Sequence, residues 1–231
     1  MSRRRARTCG VVEQNIGGRG LDIALKDCMS TIRALVFDLT GVLLDFGGIE
    51  SLSILSDGRV GEEEFGRFWS RSQWADRLYR GHCSPEAFAA GAVQELSLAV
   101  TPAEFLAAFQ TWLRGPYPGA FELIRRLRPR YQVACLSNTN ALDVRRFRDE
   151  LRLHEEFDRC FFSNEIGLRK PDLDCYRHVV RHLQCAPDEV AFFDDSSECV
   201  AGARELGLQA HQCAGIESLH ATVRRLEIVG V

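Results

Sequence analysis

The sequence predicts an α/β protein: a parallel sheet flanked by helices and carrying one all-helical insert. From residue 32 onward, short apolar runs alternate with helical patterns, as strands and crossover helices of a parallel sheet do. Between residues 49 and 114 the alternation stops, and helix signals follow one another without a convincing strand. These two observations carry the expectation.

The first strand is the apolar run at 32–37, closed by Asp38. Further strands are expected at 132–136, 160–163, 190–193 and 208–212. The helices between and after them, at 120–127, 141–151, 173–184, 198–206 and 216–226, each fit a 3.6-residue period. Within the insert, Ser84-Pro85-Glu86 reads as a cap with proline at the first helical position. Thr101-Pro102-Ala103-Glu104 reads as a capping box, also with proline at that position. The insert is bounded by "DFGG" and "GPYPG", whose glycines and prolines suit hinges. Its aromatics, among them Phe65, Trp69, Phe109 and Trp112, are expected to build its own core, with one or two facing a cleft.

The domain reading assigns 30–48 and 115–231 to the core and 49–114 to the insert. Residues 1–29, basic at first and then glycine-rich without apolar period, read as a disordered extension. No apolar segment of about 7–15 residues follows its arginines, so it is not a secretory signal. The folded protein is expected to begin near Met29.

With 231 residues, 45% apolar and 26% charged, the chain is long enough for one domain with an insert. A formal charge of −3 and no basic stripe give no expectation of nucleic acid or membrane partners. No apolar run reaches the roughly 18 residues of a membrane-spanning helix. Nine cysteines without a C-x-x-C pair read as reduced thiols of a cytoplasmic protein. His178 and His182, four apart on one helix, read as surface residues, since no third zinc ligand accompanies them.

Ligands of open parallel sheets bind beyond the carboxyl ends of the strands. There the sequence puts Asp38, then Ser137-Asn138-Thr139, then Asp194-Asp195-Ser196, with Lys170 ahead of Pro171. Carboxylates offer hard oxygen ligands for Mg²⁺, a lysine and a hydroxyl suit phosphate oxygens, and one carboxylate is free to attack. Each alone has a plainer reading as a cap, a turn or a solvated charge. Four at successive strand ends point to a metal-assisted phosphate site.

The segments "DLTGV", "LSNTN", "RKPD" and "FFDDS", in this order over roughly 32–212, resemble the haloacid dehalogenase superfamily. The likeness is to its small capped phosphatases, the group of sugar phosphatases and epoxide-hydrolase N-terminal domains. The resemblance implies a Rossmann-like core with a helical cap, and hydrolysis of a small phosphorylated metabolite through an aspartyl-phosphate. It implies Asp38 as nucleophile and Mg²⁺ ligand, with Asp194, Asp195 and the Thr40 carbonyl completing the metal site. Ser137, Asn138 and Lys170 would hold the phosphoryl group, and a monomer or homodimer is expected.

Two positions depart from the family pattern. Thr40 stands where phosphatases commonly carry an aspartate that protonates the leaving alcohol and then activates water. Its loss removes general acid–base help, typically about 10²–10⁴-fold. Cys199 stands where relatives usually have Asp or Asn, and a thiol is a poor partner for hard Mg²⁺. Two other readings accompany the phosphatase. One is a metal-free dehalogenase attacking a carbon–halogen bond; the other is a catalytically weakened binding protein.

Overall fold

The computed structural model describes residues 31–228. The expected extension at 1–29, with Met29, Cys9 and Cys28, lies outside the described residues. The buried run β1 (Ala34–Phe37) turns through residues 38–43 into β2 (Leu44–Phe46). Then come α1 (Gly48–Leu55), α2 (Glu62–Arg71), α3 (Gln73–Tyr79), α4 (Pro85–Glu95), α5 (Pro102–Phe109) and β3 (Leu113–Pro116). The chain continues through α6 (Ala120–Leu127), β4 (Gln132–Ser137), α7 (Ala141–Asp149), α8 (Leu153–Glu156) and β5 (Arg159–Phe162). Last are α9 (Ser163–Ile166), α10 (Leu173–Leu183), β6 (Val190–Asp194), α11 (Ser197–Leu206), β7 (Gln209–Gln212) and α12 (Gly215–Arg225).

The main sheet has strand order β5-β4-β1-β6-β7, and all its pairings are parallel. Side chains on a strand alternate between faces, so β1 serves both layers of the core. Leu35 and Phe37 join the apolar cluster that includes residues of α6, α7 and α12. Ala34 and Val36 join the one that includes residues of α10 and α11. A strand covered on both faces must be apolar throughout, which is why 34–37 shows no polar alternation. Phe37 stacks on Phe193 of the neighbouring strand at 5.0 Å.

The insert has an apolar cluster of its own, from Leu52 through Phe88 and Phe105 to Trp112. Both of its expected caps form. Ser84 accepts from the Ala87 N–H, and Thr101 and Glu104 exchange side-chain-to-backbone bonds. Its borders correct one expectation. In place of two bare hinges, β2 and β3 pair as an antiparallel ribbon, and β3 begins at Leu113, inside the stretch read as strand-free. Strands this short carry no legible period, and Gly115 and Pro116 mimic a turn.

Every described cysteine is a free thiol. Among the described residues, no helix is long and apolar enough to cross a membrane.

Candidate active site

Parallel order around β1 brings three strand ends to one edge. Asp38 follows β1, Ser137 ends β4 on one side, and Asp194 ends β6 on the other. The register is held past the strand itself, where the Asp38 N–H donates to the Phe193 carbonyl at 2.8 Å. Lys170 arrives from the loop between α9 and α10. Its Nζ donates to Asp38 Oδ1 at 2.7 Å and to Asp194 Oδ2 at 2.6 Å, with all three side chains almost wholly buried. A carboxylate oxygen from each of Asp38, Asp194 and Asp195 falls within 4.8 Å of the others.

Burial costs most for the charged form. It pushes the Asp38 carboxyl up to about 8; Lys170 pulls the other way, and Asp194 and Asp195 add to the push. Burial and Asp194 push Asp195 up to about 6 against the pull of Lys170. On Lys170 burial opposes the charge, but Asp194 and Asp38 outweigh it and hold the ammonium well above the usual lysine range. Three carboxylates thus face one ammonium. The imbalance, together with the hard oxygen donors, suits a divalent cation such as Mg²⁺.

Gly41 makes room for this cluster. Its φ is +86°, and a β-carbon there would lie 2.3 Å from Asp195 Oδ2. A side chain at residue 41 would therefore meet the carboxylate itself.

One residue expected on phosphate has its side chain engaged elsewhere. Asn138, expected on phosphate, spends its side-chain amide on the main chain of Lys170: Oδ1 accepts from the Lys170 N–H and Nδ2 donates to the Lys170 carbonyl, both at 2.9 Å. Its side chain is a clamp on the lysine. Ser137 is fully buried, its Oγ without a hydrogen-bond partner among the described residues. Thr139 lines the cleft, also with a buried, unpartnered hydroxyl; nothing in "LSNTN" distinguishes it from Ser137. His178 and His182 pack ring against ring at 4.0 Å and, among the described residues, belong to no group of three ligands.

The cleft above Asp38 has a volume of about 810 Å³ and takes its opposite wall from the insert. The lysine loop is tied to that wall. Arg169 donates to Asp76 at 3.3 Å and to the Trp69 carbonyl at 3.1 Å, while Arg80 pairs with Asp172.

The sequence pattern of the haloacid dehalogenase-like hydrolases matches residues 32–207. The chain belongs to that family. It is 28% identical to the sesquiterpene phosphatase astK of Aspergillus oryzae over 182 residues, 78% of this chain and 88% of that protein. It is similar in fold to an enzyme of the family from Bacteroides thetaiotaomicron, solved with magnesium and inorganic phosphate. That match has a TM-score of 0.63 and 24% identity, covering 79% of this chain and 94% of the other. A second match is the L-2-haloacid dehalogenase of Xanthobacter autotrophicus with chloropropionic acid covalently bound, at TM-score 0.56 and 24% identity, covering 86% and 85%.

In this haloacid dehalogenase-like hydrolase the two departing positions, Thr40 and Cys199, both face the cleft. Thr40 follows the Asp38 strand end by two residues and offers only a hydroxyl. Cys199 is buried, and burial pushes its thiol up to about 12 against the pull of Lys170, so it stands neutral beside the acidic cluster.

Proposed function

We propose that the protein is a Mg²⁺-dependent phosphatase of a small phosphorylated metabolite, acting through an aspartyl-phosphate on Asp38. The observation that carries this reading is the Asp38–Lys170–Asp194 triplet, with Asp195 beside it, at the floor of a cleft open to a small ligand. The phosphatase name of the Aspergillus oryzae relative, which the chain covers almost end to end, supports it.

Asp38, Asp194, Asp195 and the Thr40 carbonyl would hold the cation, which when bound supplies positive charge against the phosphoryl oxygens. The Asp38 carboxyl, which burial, Asp194 and Asp195 hold above the usual carboxylate range against the pull of Lys170, would be favoured in its ionised form beside that charge. A carboxylate oxygen of Asp38 attacks phosphorus, the bond to the alcohol oxygen breaks, and the alcohol leaves with the electron pair and takes a proton from water. Lys170 neutralises charge on the transferred group and steadies Asp38, the main demand of phosphoryl transfer. The unpartnered Ser137 hydroxyl supports a role on the phosphoryl oxygens. Water then attacks the phosphorus of the aspartyl-phosphate, releasing inorganic phosphate and restoring the carboxylate. Thr40 has no pKa suited to either proton transfer, so both steps run without that help.

Residues 49–114 act as a cap that covers the substrate, a reading supported by their separate apolar cluster. The free thiols support the cytoplasm as the place of work. Attack on a carbon–halogen bond needs Asp38 but no cation, and leaves the cluster of three carboxylates without the positive charge it suits. Phosphate release from an aryl phosphate tests the reading. Turnover that requires Mg²⁺ and vanishes in Asp38→Asn is expected; turnover that persists in that variant overturns it.

A further inference from the structure

The cap side of the cleft is an aromatic band. Phe46 meets Phe65 at 6.2 Å between ring centroids, and Phe65 meets Trp69 at 5.9 Å. Trp69 stacks on Tyr79 at 5.1 Å, and the Arg169 guanidinium lies 5.4 Å over the Tyr79 ring. The band therefore runs unbroken from the β2 ribbon to the residue before Lys170. All five residues line the same cleft as Asp38, and the four rings are only half-buried. By contrast, Phe88, Phe105 and Trp112 fill the insert's interior.

The polar side chains near this band are largely committed within the protein. The Asn138 side chain clamps Lys170, Asn140 caps α7 and bonds Asp143, and Ser70 donates back to its own helix. Arg169 is held by Asp76 and the Trp69 carbonyl. Glu62, Glu63, Arg67 and Arg71 are exposed, and Arg67 pairs with Glu63. Two cleft-lining groups are exceptions: the Thr139 hydroxyl and the Trp69 Nε1 N–H are buried without a partner among the described residues, two polar groups against four rings. A sugar phosphate carries a hydroxyl on nearly every carbon, and each one left unpaired in a closed cleft costs affinity. A hydrocarbon gains from the same surface.

We propose that the aromatic band seats the leaving group, and that the substrate is the monophosphate of an apolar alcohol rather than of a sugar. This inference rests on the phosphatase reading. The volume of about 810 Å³ lies within the range of small-molecule sites and exceeds the needs of the phosphoryl group alone. Phe46, Phe65, Trp69 and Tyr79 thereby determine specificity without touching the reacting atoms.

The test is kcat/KM, with Mg²⁺, for ethyl, butyl, hexyl and octyl monophosphate and for glucose 6-phosphate. Leaving-group chemistry is nearly constant along the alkyl series, so a slope reports binding of the chain. A rise of about two- to fourfold per methylene is expected, with hexyl phosphate at least about tenfold above glucose 6-phosphate. Trp69→Ala and Phe65→Ala should each flatten the slope, and two positions guard against one variant failing to fold. A flat series, or glucose 6-phosphate above hexyl phosphate, overturns the inference. Acetyl phosphate, which needs neither tail nor protonation of its leaving group, separates the two levels. Its turnover alongside a flat series leaves the phosphatase reading standing, and no turnover of any of these compounds, acetyl phosphate included, removes both.

Discussion

Asn138 grips the backbone of Lys170 from both sides, accepting from its N–H and donating to its carbonyl at 2.9 Å each. The lysine that neutralises Asp38 is therefore positioned by a residue from the neighbouring strand end. Asn138→Ala removes both bonds; the buried Lys170 N–H is left unmet, at ~1–3 kcal/mol, while its carbonyl keeps only the 3.3 Å bond from Arg169 Nε. Its melting temperature should fall by several degrees and kcat should drop with the fold intact by circular dichroism. Unchanged kcat would show that Lys170 holds its place without the clamp.

Metal-free stability should depend on pH through the acidic cluster. Asp38 at about 8 and Asp195 at about 6 both lie above the ordinary 3.8, so the folded protein binds the protons more tightly than the unfolded chain. Between those values the unfolded chain releases protons that the folded one keeps, and stability falls as pH rises. Below 3.8 the contribution is fully present, and by about 8 it is gone. Mg²⁺ requires ionised carboxylates, so its binding displaces protons and strengthens toward pH 8. Melting curves with and without Mg²⁺ should show a larger increment at pH 8 than at pH 6. An equal or smaller increment contradicts the assignment of these carboxylates to the cation.

Gly41→Ala tests the close approach of the first loop to Asp195. The positive φ of +86° is unfavourable for alanine, and the new methyl would sit 2.3 Å from Asp195 Oδ2. Strain of this kind costs ~1–3 kcal/mol, and the carboxylate must move. Both a lower melting temperature and a higher half-saturating Mg²⁺ concentration are expected, read by thermal melts and by activity against Mg²⁺. If melting falls but the Mg²⁺ dependence is untouched, Asp195 is not a ligand.

Thr40 should leave the second step slow. Aryl phosphates need little acid help to lose their alcohol, but hydrolysis of the aspartyl-phosphate still needs an activated water. Rapid mixing should give a burst near one equivalent of phenol per site. Thr40→Asp should abolish the burst and raise steady-state turnover, by at most ~10²–10⁴-fold. No burst, with Thr40→Asp no faster than wild type, means another group moves the proton.

The main sheet was legible because a buried parallel strand must be continuously apolar, and residues 34–37, 133–136 and 190–193 are. Asp38, Asp194 and Asp195 stood out because polar residues ending such runs have few structural duties, whereas Lys170, in the loop between α9 and α10, stood out only through "RKPD". The β2–β3 ribbon was not, since its pairing joins segments far apart in sequence and each strand is only three or four residues long. The clamp by Asn138 was hidden for a related reason. Its partner is main chain, which every residue offers alike. Nor could a linear pattern say which of the insert's many aromatics turn toward the cleft, because that depends on how its helices pack.

The central claim is that Asp38 carries the phosphoryl group, and it is tested most directly by trapping that state. Wild-type protein mixed with Mg²⁺ and an aryl phosphate, then quenched in acid during the burst, should yield a peptide containing Asp38 with one phosphoryl group attached. Asp38→Asn treated in the same way should yield none and should not turn over. A phosphoryl group mapped to any other residue, or turnover by Asp38→Asn, contradicts the account.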